Sequence, residues 1–509
     1  MPSPRAVVEI GSTGIRLLVA ELNGENKFNF LDSAEQPVNI GRDVFTTGSI
    51  SRDTLLLCLS ILNRYVEQLA AWGIFPADTI VMGTSALRDA KNRDPVVDRI
   101  KVKTGFTVRV IDGLEENRLM YIAVTECLKN ETVSVRQRDS IILDVTGAST
   151  EMMLMENGRM VGAHTMRLGT VNIEQNIRSL TGSMEDARRF VDEFIHNTHK
   201  SLSLEMNFTK VEQFIALGND MKLVALFAGK PVSSFLWKID RKDFERFIDE
   251  VITFTPEECV AKFKINYNDV NTFLISLIAY RQFVRLTKVQ EVLVPETSLR
   301  EGILLASSGM ANSELQQEFE SQIIASAATL LRKYNGDEHH AEYVRNICLK
   351  LYDSLEDELG LDDFSRTLLE VSAILHDIGM FIAADDHNEH SKYIVSHSEI
   401  FGLSREDRQL VALITNFHKG ANFPQDHAEF KPLPRTSRMK ILKLSAILRV
   451  ADAFDRGHQQ KYKDFTVSFT RDTLTIRVRG HHNLSLEKIA LKEKGDLFEN
   501  VFGYKLVLV

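Results

Sequence analysis

Four cysteines in 509 residues (Cys58, Cys127, Cys259, Cys348), none in a CxxC spacing, exclude a disulfide framework and a zinc ribbon. Long apolar runs are missing too. No uncharged stretch approaches the ~18 residues that would cross a bilayer, and the N-terminus lacks a basic-then-apolar leader. A cytoplasmic protein without membrane attachment is expected. A net charge of −9 leaves no global basic field, so an anionic polymer would need local basic patches, and no specific nucleic-acid signal is present. Low-complexity tracts and Pro/Gly/Ser linkers are absent, so the domains should pack closely. The composition is that of an ordinary soluble protein, 44% hydrophobic and 26% charged. The length calls for three or four domains, since single cores rarely exceed ~250–300 residues.

One loop grammar occurs twice. The apolar strand Val7-Val8-Glu9-Ile10 ends in an acid and runs into Gly11-Ser12-Thr13-Gly14; Ile141-Ile142-Leu143-Asp144-Val145 runs into Thr146-Gly147-Ala148-Ser149-Thr150-Glu151. A second apolar strand follows each loop. Glycine admits an anion close to backbone N–H groups, Ser and Thr hydroxyls add donors, and an acid at the strand end suits a hard divalent cation. Two such hairpins face to face would clasp a phosphate and its metal between two domains.

Alternating strand-like and helix-like segments fill residues 1 to about 124, and a second α/β block runs from near Asp139 to about Ser308, with helices that include Ser183–Phe194. From about Ser313 the pattern is helical through Phe454, and Phe465–Phe469 with Thr473–Val478 reads as a hairpin around Arg471-Asp472. Gly83-Thr84-Ser85-Ala86-Leu87-Arg88 follows a strand and opens a helix. A helix start beside an arginine suits phosphate, with Arg88 as the clamp and Asn92 and Arg93 near it. In Gly113-Leu114-Glu115-Glu116-Asn117-Arg118 the adjacent glutamates point ~100° apart, so only one can face a cleft as a general base.

In order and separation these segments, with Arg167-Leu168-Gly169 and Leu299-Arg300-Glu301-Gly302, resemble the exopolyphosphatase/guanosine pentaphosphate phosphohydrolase family of the actin-like ATPase superfamily. The resemblance implies an α/β actin-like (ribonuclease H-like) two-domain core and magnesium-dependent removal of terminal phosphate from inorganic polyphosphate or guanosine pentaphosphate. It implies Glu116 as the water-activating base with Glu151 as second catalytic carboxylate. Gly11, Ser12, Thr13, Arg88, Gly147, Ser149 and Thr150 would bind phosphate, and Glu9 and Asp144 would hold Mg2+. Glu9 stands where the family has an aspartate, Gly218-Asn219-Asp220 replaces a Gly-Gly-Thr turn, and Tyr267 occupies an arginine position. A homodimer is a further implication.

Nine of fourteen histidines fall between positions 339 and 458. His340, His376-Asp377, His390, His418 and Asp452 form an ordered series in apolar helical frames. A carboxylate buried in such a frame needs a partner, which a metal would supply. The series resembles the HD metal-dependent phosphohydrolase domain, which implies His340, His376, Asp377 and Asp452 as core ligands and His390 and His418 as additional ones. The donor set suits manganese, iron, zinc or magnesium. His387, His397, His427 and His458 read as surface or supporting residues.

The expected organisation is residues 1–124 and 125–308 as two actin-like domains, 309–462 as an all-α HD-type domain, and 463–509 as a small α+β unit. Three functions compete. The first is terminal-phosphate hydrolysis in the front cleft. The second is nucleotide phosphoester hydrolysis at the helical metal site with a sensing front half. The third is a non-catalytic regulator that binds polyphosphate or guanosine tetraphosphate.

Overall fold

Apolar residues on both faces make β1 (Arg5–Ile10) a central strand, with Val7 and Val8 fully buried. It pairs antiparallel with β2 (Gly14–Leu22), and β2 pairs antiparallel with β3 (Phe28–Pro37). On its other side lie the parallel strands β4 (Ile80–Gly83) and β5 (Val108–Val110), giving the order β3-β2-β1-β4-β5.

The second sheet repeats that plan. Strands β6 (Ser140–Val145), β7 (Thr150–Glu156) and β8 (Arg159–Met166) stand for β1, β2 and β3. β9 (Gln213–Ala216) pairs parallel with β6, β10 (Lys230–Pro231) and β11 (Leu236–Asp240) form the far edge, and β12 (Glu291–Pro295) joins them to β9. Two hairpin-then-crossover sheets are the architecture the doubled loop implied. The computed structural model describes all residues except 1–3, 23–27, 130, 132, 134, 136, 179–183, 308–312, 420–426, 462–464 and 480–483, and omits the side chains of 22, 178 and 313–316. The expected helix start at Ser183 and the boundaries near 308 and 462 lie outside the described residues.

Two helices bear on the expected division into 1–124 and 125–308. Helix Gly113–Leu128 runs through 124 without a break. Helix Leu299–Ser307, assigned by sequence to the second domain, returns to the first sheet: Ile303 and Leu304 pack with Val7, Leu18, Met82, Ile111 and Leu119. Burying those apolar groups settles where the helix belongs, whatever its position in the chain.

The chain divides into two compact units, Met1–Gln317 and Glu318–Val509, the division falling inside helix Ser313–Lys333. The second unit is built on helices Glu338–Ser354, Phe364–Leu375, His387–His397, Arg405–Asn416 and Arg435–Ala453. Strands β13 (Phe465–Phe469) and β14 (Thr473–Val478) form the expected hairpin, and β15 (Lys505–Leu508) lies parallel to β14. This tail is part of the helical unit and not separate from it: the buried Arg449 guanidinium donates to Phe417 O and to Asp496 Oδ1 at 3.1 Å. Among the described residues, no helix is long and apolar enough to cross a membrane.

Candidate active site and a histidine cluster

Both loops close the same four-residue turn. Gly11 N donates to Gly14 O at 2.9 Å, and Thr146 N donates to Ser149 O at 2.9 Å. The turn fixes the register, so Glu9 stands opposite Arg16 on β2 and Asp144 opposite Glu151 on β7. A Cβ on Gly147 would lie 3.1 Å from Thr13 Cγ2 and 3.2 Å from Ser12 Cβ, so the two loops touch. They border a cleft of about 460 Å³ whose walls include Glu9, Ser12, Glu116, Asp144, Gly147 and Glu151.

The second loop is braced from behind. A Cβ on Gly169 would meet the carbonyl carbon of Ala148 at 2.0 Å, a backbone contact that cannot swing aside. Gly169→Ala should therefore displace this loop, costing about 1–3 kcal/mol of stability and most of the activity. A melting temperature and turnover equal to wild type would contradict this brace.

Four carboxyl groups converge on the cleft with raised pKa values. Burial, helped by the charges of Glu9 and Asp144, pushes Glu116 up to about 7 although Arg88 pulls the other way. Burial and Glu9 push Asp144 up to about 7, and burial raises Asp220 to about 6. Glu151 is pushed well above the carboxylate range by burial and by Glu116 and Asp144. Such shifts mark groups poised near neutral pH for proton transfer. Glu116 is presented by the first turn of its helix, which Asp112 caps by accepting from Glu115 N at 2.9 Å. Glu115 turns away and pairs with Arg109.

Several residues expected at the phosphate are engaged elsewhere. Arg88 Nη1 donates to Glu116 Oε1 at 2.7 Å and to Ile111 O at 2.9 Å, so it orients the base instead of standing free as a clamp. Its helix, Ser85–Asp89, is only one turn long. Asn92 binds both backbone groups of Ile50, and Arg93 pairs with Asp94. Thr150 is fully buried and donates to Leu168 O at 2.6 Å, while Ser149 Oγ donates to Glu151 Oε1 at 2.5 Å. Both hydroxyls serve the hairpin itself. Gly11, Ser12, Thr13 and Gly147 do line the cleft.

Two cleft arginines went unread in the sequence. Arg16 Nη1 lies 3.2 Å from Glu9 Oε1 while its Nε donates to Glu35 at 2.8 Å, and Arg300 Nε lies 3.7 Å from Glu9 Oε2. Hairpin arithmetic alone places residue 16 opposite residue 9, so the signal for Arg16 was present.

The implied magnesium ion fits the cleft in donor chemistry. Mg2+ is commonly held by one or two carboxylates plus substrate phosphate oxygens. Asp144 makes no ion pair or hydrogen bond among the described residues, leaving its oxygens available. Glu9 is shared between Arg16 and Arg300 and would contribute only after yielding one of them.

In the helical unit four imidazoles turn inward. His376 Nδ1 donates to Ala373 O at 2.8 Å, His418 Nδ1 to Thr415 O at 2.5 Å, and His387 Nδ1 to Ala384 O at 3.0 Å. His340 Nδ1 lies 2.9 Å from Asp455 Oδ2, a supporting carboxylate the sequence did not reveal. Carbonyl oxygens cannot donate, so on His376, His387 and His418 Nδ1 carries the proton, and in the neutral ring each Nε2 presents a lone pair. Hydrogen bonds to Asp377 and, against burial, to Asp455 raise the pKa values of His387 and His340. Yet His340 and His376 bring their Nε2 atoms to 3.2 Å, and His387 and His418 to 3.1 Å. Facing lone pairs repel unless a metal ion or a proton on one ring lies between them.

Asp377 joins the two pairs. Its Oδ1 is 3.3 Å from both His387 and His418, and its Oδ2 is 3.6 Å from His376 and 3.8 Å from His340. Asp452 Oδ1 stands 3.7 Å from His340, while its Oδ2 meets the buried Lys494 ammonium. Burial holds the His376 pKa down to about 4, so this ring is neutral and ready to ligate. Asp452, despite burial, is drawn down to about 2 by Lys494 and neighbouring histidines. Two triads gather their ligand atoms within 4.8 Å, His340–His376–Asp377 and Asp377–His387–His418.

His390, expected among the ligands, is not in the cluster. His387 opens its helix just after the segment leaving Asp377 and faces inward, whereas His390, one turn on, packs its Cβ near Gly379 and its ring makes no polar contact among the described residues. His458, read as a supporting residue, stacks on His340 with ring centroids 3.7 Å apart.

Comparison with known proteins agrees with this architecture. The Ppx/GppA phosphatase family model matches residues 18–310, and the model of Ppx/GppA phosphatase domain III matches residues 324–498. A guanosine-5'-triphosphate,3'-diphosphate pyrophosphatase of Photobacterium profundum is 22% identical over 489 residues, covering 92% of this chain and 90% of that protein. The protein of the same name in Vibrio vulnificus is 23% identical over 491 residues, covering 93% and 91%. The crystal structure of an exopolyphosphatase from Cytophaga hutchinsonii shares the fold with a TM-score of 0.55 at 19% identity, covering 60% of this chain and 98% of that one. The chain thus belongs to the Ppx/GppA phosphatase family, and with it to the phosphoanhydride hydrolases.

Proposed function

We propose that the front cleft removes the terminal phosphate of an anionic phosphate chain. The observation that carries this reading is Glu116: a carboxyl group buried in the cleft wall, held by Arg88, with its pKa near 7. Water attacks the terminal phosphorus while Glu116 takes its proton, and the bridging P–O bond breaks to release orthophosphate and the shortened chain. Ser12, Thr13 and Gly147, whose amides are not the ones that close the two turns, line the cleft with Arg16 and Arg300, and these groups can offset charge on the phosphate. Mg2+, held by Asp144 and Glu9, would supply further neutralisation of the phosphate oxygens when bound. The activity named for the Photobacterium and Vibrio relatives makes guanosine pentaphosphate the first substrate to test, with inorganic polyphosphate as the alternative.

The test is phosphate release from guanosine pentaphosphate, inorganic polyphosphate and GTP in parallel, across pH 5–9. Glu116 must be ionised to act, so kcat should rise through pH of about 7 and then level. Stability should move oppositely. Glu116, Asp144 and Asp220 are raised in the folded state, so their contribution is complete below pH ~4 and is lost as pH climbs through 6 to 7. A tenfold difference in proton affinity between the folded and unfolded chain is worth about 1.4 kcal/mol. No release from either phosphate chain, or a rate flat across pH 6–8, would overturn the assignment.

A second reading applies to the helical unit, where facing Nε2 lone pairs and the shared Asp377 favour divalent metal binding. With metal bound, such a centre could hydrolyse a phosphate ester independently of the cleft. Phosphate release that survives Glu116→Gln but is lost with His376→Ala would assign activity there.

A further inference from the structure

Four buried polar atoms without a hydrogen-bond partner among the described residues lie on helix Gly113–Leu128 and on the strands β7 and β8 it packs against: both amide atoms of Asn117, Thr165 Oγ1 and Glu151 Oε2. Register and helix period bring them together. Thr165 stands directly opposite Glu151 across β7 and β8, so both side chains rise from the same sheet face. The Thr165 hydroxyl lies against Gly113, where a Cβ would be 2.3 Å from it. Asn117 follows Gly113 by one helical turn on that same face, immediately after the base Glu116. Asn117 is 0% exposed and Glu151 3%.

Left dry, each such group would cost about 1–3 kcal/mol. Native interiors satisfy groups like these with ordered water, which needs two to four polar partners. We propose that Asn117, Thr165 and the inner oxygen of Glu151 bind one or two internal water molecules, and that Asn117 and Thr165 thereby act as positioning residues for the Glu151 carboxyl. Ser149 Oγ already fixes Oε1. A water on Oε2 fixes the carboxyl plane, leaving Glu151 one orientation beside Glu116 and the cleft.

The role in turnover rests on the cleft being the active site; the water itself does not. Thr165→Val and Asn117→Leu replace the polar groups with apolar ones of similar volume, and Thr165→Ser keeps the hydroxyl. Positioning through water predicts that the two apolar variants lose about tenfold in kcat, the weight of one hydrogen bond, with KM unchanged. Thr165→Ser should stay within about twofold of wild type. A high-resolution crystal structure of the full chain should hold water within hydrogen-bonding distance of Asn117 and Glu151. The proposal is overturned if that site is dry and the apolar variants melt higher with wild-type kcat. If wild type releases no phosphate while the water is present, the cleft reading fails and the water site stands.

Discussion

Glu116→Gln should lower kcat for phosphate release by about 10²–10⁴-fold, with KM changed no more than a few-fold. Glutamine keeps the size of the side chain and an oxygen for Arg88, which bonds Glu116 at 2.7 Å. It cannot accept the proton of the attacking water. Because Arg88 also donates to Ile111 O, the first turn of the helix keeps a tether in the variant. The residual rate should also lose its rise through pH 7, since the group responsible for that rise is gone. A variant within tenfold of wild type, still rising through pH 7, would transfer the role of base to another of the raised carboxyls, Asp144 or Asp220.

Manganese should raise the melting temperature of the full chain, and Asp377→Ala should remove the effect. A ligand that binds only the folded state adds about 4 kcal/mol at a thousandfold excess over its Kd, or ~8–16 °C for a unit of this size. Asp377 is the residue to replace because its two oxygens face different histidine pairs. One substitution should therefore abolish both metal positions, whereas His387→Ala should leave the His340–His376 side able to bind. Metal analysis after gel filtration, with calorimetry in manganese and in EDTA, reads both effects. Equal melting temperatures for wild type with and without metal would remove the metal reading of this cluster, and lone-pair repulsion would then have to be relieved by protonation.

The doubled loop was legible because it is local: acid, glycine and hydroxyl residues at fixed offsets dictate a hairpin, and the structure has two of the same turn. Glu116, Asp144 and Glu151, which the family resemblance singled out, line one cleft. Long-range competition decided the rest. Ser149 and Thr150 carry the right hydroxyls, but Glu151 and the Leu168 carbonyl claim them. Arg88 is where a phosphate clamp was expected, yet a buried glutamate 28 positions away takes its guanidinium. His387 and His390 are three residues apart, and only the point at which the helix starts determines which of them looks inward. Helix Leu299–Ser307 could not be assigned from periodicity, because its buried face says that it packs and not on which sheet.

The return of that helix has a mechanical consequence. The chain leaves the first sheet after helix Gly113–Leu128 and comes back between β12 and Leu299, so the second lobe is hung from the first at two covalent points. A lobe held at one point can swivel freely, whereas one held at two turns about the line that joins them. Any separation of the lobes would thereby be confined to rotation about that line, like the leaf of a door on two hinges.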